Sequence, residues 1–313
     1  MYTHILLSIL SFLGIWIGTG LAVNSVEKLS HKLRISSFAV SFLILGLFTS
    51  ISEFSVGINA VINKDPEIYV GNLIGASIVI FLMIIPLLAI TGKKINIPTT
   101  LQKNNLILPL VLVALPVVLA LDNEIGKIDG IITIVLYLIL AISLQTKKGL
   151  LERASNLIQF KKVSVWKEIA KIVVGVIIIF QASHFIVEQI KYFSTTLNIS
   201  PFIISVLIVS IGTNLPELSF IFRSMVTKNN NVAFGDYIGS SAFNTFLFGI
   251  LTLLNKEKVI LSNSYISSSI FLIIGTIIFY FFAKSKNTIT RLEGFILLGI
   301  YIAFVTTEFI LIR

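Results

Sequence analysis

Glu217 lies 164 residues after Glu53, and sliding the chain along itself by that offset keeps matching residues, without a gap, on both sides of the pair. Thr49-Ser50-Ile51-Ser52-Glu53 falls on Thr213-Asn214-Leu215-Pro216-Glu217, and Gly71, Ile74, Gly75 and Ser77 fall on Gly235, Ile238, Gly239 and Ser241. Upstream, Ile35-Ser36, Phe38, Ser41 and Leu43-Ile44 fall on Ile199-Ser200, Phe202, Ser205 and Leu207-Ile208. Apolar composition alone gives chance matches of Leu, Ile, Val and Phe, but not of Thr, Glu and paired glycines. The chain is a duplication, so whatever it folds into must be built twice.

The repeated unit belongs in a membrane. Of 313 residues 56% are hydrophobic and only 12% charged, with a mean hydropathy of +0.97, far outside the range of soluble domains. Apolar runs of spanning length fall near residues 5–23, 36–62, 68–91, 107–121 and 130–145, then near 168–190, 200–226, 233–254, 260–283 and 291–312. The opening run lacks a basic start and a small-residue cleavage site and matches the sixth run under the offset, so it reads as a helix rather than a signal peptide. The spans divide into a first repeat, 1–145, and a second, 168–313, joined by a basic linker at 146–167. Lys and Arg concentrate in the loops after odd-numbered spans, which makes those loops and the linker cytoplasmic and puts both termini outside. Five spans per repeat is an odd number, so the second copy enters the membrane from the opposite side. The expected fold class is all-α integral membrane: ten transmembrane helices as two inverted five-helix repeats, a plan that places a site near the midplane between the repeats.

Composition also excludes chemistries. There is no cysteine, hence no disulfide or thiolate site, and His4, His31 and His184 are far apart, without zinc-binding spacing. The net charge of +9 resides in loops between apolar runs, so the expected partner is the lipid bilayer and not nucleic acid. No nucleophile and base stand out, and the chain reads as a transporter without cofactor rather than an enzyme.

What remains is a pair of acids in apolar surroundings. A charge at the centre of a spanning helix costs about 3 kcal/mol on insertion scales, so it faces a partner, a cavity or an ion. Thr49 and Glu53, like Thr213 and Glu217, are four residues apart, a spacing that puts hydroxyl and acid on one helical face, with Ser50 and Asn214 beside them. Pro216 lacks an N–H and frees the Gly212 carbonyl. Gly71 and Gly75, and their mates Gly235 and Gly239, let another helix approach closely, while Ser240 and Asn244 extend the strip of oxygens. Hard cations such as Ca²⁺ take about 6 to 8 oxygens, carboxylates among them. Such a cage holds one Ca²⁺ or several Na⁺ but hardly both, and that competition is what an exchanger needs.

Here the residues resemble the sodium/calcium exchangers of the cation/calcium antiporter superfamily, whose two alpha-repeats carry G-[ST]-[SN]-x-P-E followed by G-N/D-x-x-G-S-N/S-x-F-N/D. Gly212 to Glu217 and Gly235 to Asn244 match well; Thr49 to Glu53 and Gly71 to Ser77 match in part. The resemblance implies Glu53 and Glu217 as central Ca²⁺ ligands, with Thr49, Ser50, Thr213, Asn214, Ser240 and Asn244 supplying oxygens for Ca²⁺ or Na⁺, and sliding first and sixth helices. The first repeat departs from the pattern. Phe48 and Ser52 replace glycine and proline, which predicts a more regular helix there, and Ala76 and Ile80 remove two oxygens. The implied function is Na⁺/Ca²⁺ antiport by a monomer in a prokaryotic plasma membrane. The rivals are a proton-coupled exchanger of the same fold, with H⁺ in place of Na⁺, and a non-transporting protein that lost part of the site. Other polar residues have plainer readings: Asn72 and Asp236 as helix caps, Asp65, Glu67, Asp122, Glu124 and Asp129 as solvated loop acids, and Gln181 and His184 bonded to neighbouring helices.

Overall fold

The computed structural model describes residues 1–32, 49–92, 94–97, 101, 103–146, 164–215, 217–218, 230–261 and 265–311. Phe48, Pro216, the linker from 147 to 163, and the parts of the second and seventh spans at 36–48 and 219–226 lie outside the described residues. Helices follow the apolar runs. In the first repeat they are α1 (Tyr2–Lys32), α2 (Ile51–Ile62), α3 (Pro66–Gly92), α4 (Ile107–Asp122) and α5 (Lys127–Thr146). In the second they are α6 (Val165–Leu197), α7 (Pro201–Thr213), α8 (Asn230–Leu254), α9 (Tyr265–Lys286) and α10 (Arg291–Leu311).

Two strand pairs show the inversion. β1 (Lys94–Asn96) follows α3 and β3 (Val259–Ile260) follows α8, which are mates under the offset of Glu53 and Glu217; β2 (Glu124–Ile125) and β4 (Thr288–Thr290) are mates in the same way. Yet β1 pairs antiparallel with β4, and β2 with β3. The chain passes from β1 along α4 to β2, so the two pairs cap opposite faces of the helical layer. α3 therefore ends on one face and its mate α8 on the other, as an inverted repeat requires. The loops are tied rather than merely solvated: Glu124 bonds Lys258 at 2.6 Å, and Asp65 pairs with Lys191. Asp129 accepts the Gly126 N–H at 2.7 Å, and Asp122 accepts that of Glu124 at 3.1 Å.

α3 and α8 run through the centre, 83% and 78% buried over their spanning windows, against 28% for α1, α6 and α10. Glycines set the central crossings. A Cβ added at Gly71 would sit 2.6 Å from the Phe202 carbonyl, and one at Gly75 equally close to that of Val206, so α3 and α7 touch backbone to backbone. The repeats exchange their last helices: Gly130 of α5 packs on Gly249 of α8, and its mate Gly294 of α10 packs on Pro86 of α3. Both α3 and α7 carry a π-helical turn, at Ile80–Ile84 and Ser205–Val209, a deviation that often accompanies functional sites.

α1 and α6 form a separate pair on the flank. Gly18 and Gly175 face each other so closely that a Cβ on Gly175 would lie 2.5 Å from the Gly18 carbonyl. One end of the pair is tied by Glu168, 2.8 Å from Lys171 and 3.9 Å from Lys28. At the other end His4 Nδ1 bonds Gln189 Oε1 at 2.7 Å and its ring stacks on Tyr192. His184 pairs with Glu188 at 3.4 Å on its own helix and Gln181 is exposed, so neither side chain turns into the core.

Candidate cation site

The site forms where α2 and α7 break. Ser50 has φ −77 and ψ 7, and Asn214, its mate, has φ −89 and ψ 12; a helix needs ψ near −42. The breaks match although only the second repeat has a proline, so the expected regular helix in the first repeat is not found. Ser52 supplies a cause. Its single hydroxyl proton is shared among three acceptors, one of them the Thr49 carbonyl at 3.0 Å, which the helix ladder would otherwise use. The same hydroxyl lies 2.9 Å from Glu53 Oε2 and 3.2 Å from the Thr213 carbonyl. Sequence reading treated Ser52 only as a missing proline; here it is a donor to the acid.

Because each break lies between the hydroxyl and the acid of one motif, the partners cross between repeats. The Thr213 hydroxyl faces Glu53, and that of Thr49 faces Glu217. Ser50 Oγ meets Ser240 Oγ at 3.1 Å, and Ser240 in turn donates to Glu217 Oε1 at 3.3 Å. Asn214 donates to the Ser210 carbonyl at 2.7 Å, and the Tyr237 hydroxyl to the Glu217 carbonyl at 3.1 Å. Asn244 lies one turn beyond Ser240 on α8. All eight residues singled out from the sequence are buried: Thr49, Ser50, Glu53, Thr213, Asn214, Glu217 and Ser240 at 0% exposure and Asn244 at 1%. The cluster is shut off from both faces in this conformation.

Asn72 was missed as a member of this cluster. α3 begins at Pro66, not at Gly71, so Asn72 lies in its second turn and is no cap. It is fully buried, and its Oδ1 accepts the Thr213 hydroxyl at 3.2 Å. Its pairing with Asp236 under the repeat offset was the available signal. The Asp236 side chain is outside the described residues. Ala76 and Ile80 are both fully buried, so the first repeat's share of the wall is apolar where the second has Ser240 and Asn244.

The cluster contains buried oxygens that the protein itself does not satisfy. Among the described residues, Glu53 Oε1, Glu217 Oε2, Asn214 Oδ1 and Asn244 Oδ1 have no hydrogen-bond partner. Buried polar atoms are nearly always paired, and two acids side by side repel. Unsatisfied oxygens on and beside two carboxyl groups are the kind of donor set a hard cation takes. No group of three or more His, Cys, Asp or Glu is found among the described residues.

A duplicated, inverted helical fold with an oxygen cage between its halves is that of a membrane transporter. A family model for sodium/calcium exchanger proteins matches residues 3–144 and 167–310, and the chain belongs to this family. It is 25% identical over 301 residues to an uncharacterised membrane protein of Methanocaldococcus jannaschii, covering 94% of both chains. To the sodium/calcium exchanger MaX1 of Methanosarcina acetivorans it is 28% identical over 144 residues, 46% of this chain and 41% of that one. A solved structure of the sodium-calcium exchanger NCX_Mj soaked with Na⁺ and Sr²⁺ shares the fold, with a TM-score of 0.69 over 97% of each chain at 23% identity. The fold class is thus the expected one: all-α, integral to the membrane, two inverted five-helix repeats.

Proposed function

We propose that the protein exchanges Na⁺ for Ca²⁺ across a prokaryotic plasma membrane by alternating access, with both termini outside. The observation that carries this reading is the crossed arrangement of the acids. Glu53 and Glu217 each keep one oxygen free and each face a hydroxyl of the other repeat. One Ca²⁺ neutralises the two carboxylates, and so do two Na⁺, so occupancy by one excludes the other. Thr49, Ser50, Thr213, Asn214, Ser240 and Asn244 complete the coordination, and Asn72 and Ser52 hold Thr213 and Glu53 in position.

Access comes from the α1–α6 pair moving as one body. Its two helices are joined at Gly18 and Gly175 and tied at both ends, while its polar links to the core among the described residues include Lys191 to Asp65 and to the Asn63 carbonyl, and Asn59 to Ser183 at 3.2 Å and to the Phe180 carbonyl. Phe12 of α1 packs on Gly212, directly before Thr213, so displacement of the pair uncovers the cage wall. One observation favours H⁺ in place of Na⁺ as the driving ion: Ala76 and Ile80 leave fewer oxygens, and a proton needs only one.

Ca²⁺ uptake into proteoliposomes loaded with Na⁺ and diluted into Na⁺-free buffer tests the reading. Uptake that needs the Na⁺ gradient and is lost in Glu53→Gln and Glu217→Gln supports it. Uptake under a pH gradient alone transfers the assignment to proton coupling. Silence under both gradients, in protein that melts cooperatively, points to a fold whose transport has lapsed.

A further inference from the structure

Among the described residues, a further buried acid lies away from the cage. Glu308 is one turn from the end of α10 and has 0% exposure. Ser268 in the first turn of α9 donates to its Oε1 at 2.9 Å, and Ser267 lies alongside. Glu308 Oε2 and Ser267 Oγ are buried without a hydrogen-bond partner among the described residues. Neither α9 nor α10 contributes to the cage. Tyr265, at the start of α9, bonds Asn123 Oδ1 at 3.0 Å, so the cluster sits at the membrane-surface end carrying the β2–β3 strand pair.

Duplication does not account for it. The positions 164 residues earlier are Lys103, Asn104 and Leu144, so this acid belongs to the second repeat alone. An acid inside a membrane protein is costly to retain and marks an ion or proton path by default. The start of α9 presents the positive end of a helix dipole to the carboxyl group, and Ser268 donates to it. One negative charge, a free carboxylate oxygen and a second free hydroxyl match one positive charge. A divalent ion would be left with excess charge.

We propose that Glu308, Ser267 and Ser268 form a second cation site that binds one monovalent metal ion, independently of the exchange cage. Saturating Ca²⁺ keeps monovalent ions out of the cage, so any remaining stabilisation by them reports this site. The experiment is the melting temperature of the full chain in detergent at saturating Ca²⁺, titrated with NaCl or KCl against N-methylglucamine chloride at constant ionic strength. Wild type is expected to rise by a few degrees with one of the two ions, and the arm that responds identifies it as Na⁺ or K⁺. Glu308→Gln abolishes the rise, and Ser268→Ala moves the half-saturating concentration upward about tenfold. The Glu53→Gln/Glu217→Gln double variant, tested without Ca²⁺, retains the rise. An undiminished rise in Glu308→Gln overturns the proposal. So does a wild type that responds to neither ion, including one stabilised only by lowering pH, where the carboxyl holds a proton and nothing else. Should Glu308→Gln not fold, Glu308→Asp replaces it: a shifted half-saturation supports the site, and an unshifted one overturns it.

Discussion

Gly75→Ala tests whether the α3–α7 crossing sets the geometry of the cage. The added Cβ would lie 2.6 Å from the Val206 carbonyl and 2.8 Å from Ser210 Cβ, where ordinary contact begins at 3.4 Å. Both obstacles are backbone or near-backbone atoms on a helix, so the relief is a parting of α3 and α7 by about 0.8 Å. The Thr213–Asn72 bond, 3.2 Å long in the native chain, then stretches to about 4 Å and is lost. Thr213 also faces Glu53, so the hydroxyl beside the acid loses its fixed orientation. A net hydrogen bond is worth about 0.5–1.5 kcal/mol, which sets the expected weakening of Ca²⁺ at up to about tenfold. Overpacking adds a stability loss of about 1–3 kcal/mol.

The assay is the Ca²⁺ dependence of Na⁺-driven uptake, paired with a melting curve. Gly71→Ala, one turn away with an equal clash against the Phe202 carbonyl, should lower stability similarly but disturb affinity less. Gly20→Ala and Gly299→Ala meet nothing within 4 Å and should leave both quantities unchanged. If Gly75→Ala folds and keeps its half-saturating Ca²⁺ within twofold of wild type, the crossing does not position the site and the reasoning fails.

Three shorter predictions probe other contacts. Ser52→Ala removes the donor to Glu53 Oε2 and should raise the half-saturating Ca²⁺ about tenfold or more, since bonds to charged groups are worth about 1.5–3 kcal/mol; equal affinity would make Ser52 a backbone device only. Lys191→Gln breaks an ion pair whose side chains are 40% and 32% exposed, so melting should change by less than about 1 kcal/mol while the Na⁺-driven uptake rate changes. A large fall in stability with an unaltered rate would mean the pair is structural and not a latch on α6. Gly175→Ala meets the Gly18 carbonyl at 2.5 Å and should depress the melting temperature by several degrees, where Gly20→Ala on the same pair does not.

Ten helices were legible because each is a continuous apolar run, and the inversion because an odd number of runs precedes the second copy. Glu53 and Glu217 were legible because charge is rare in such surroundings. The roles of Ser52, Asn72 and Lys191 were not, for a common reason. Each acts across repeats: Ser52 on the Thr213 carbonyl, Asn72 on its hydroxyl and Lys191 on Asp65. Periodicity reports only which residues share a face of one helix. The four-residue spacing of Thr49 and Glu53 suggested such a face, yet the breaks at Ser50 and Asn214 fall inside that spacing and hand each hydroxyl to the opposite acid.

That exchange explains why the packing is more symmetric than the chemistry. The breaks, the strand pairs and the glycine contacts of α5 and α10 recur in both halves, because each repeat's backbone is supported by the other and a change in one crossing strains its mate. Side chains inside the cage carry no such constraint. Ala76 stands where the second repeat has Ser240 and Ile80 where it has Asn244, and all four are buried. Loss of oxygens can therefore proceed on one side while the fold stays intact, altering how many ions fit and which. On this account Ile80→Asn, restoring the oxygen its mate Asn244 provides, changes the Na⁺ dependence of Ca²⁺ uptake without moving the α3–α7 crossing. If uptake shows the same steepness in Na⁺ as in the native chain while the variant folds, the apolar half of the wall does not control ion number.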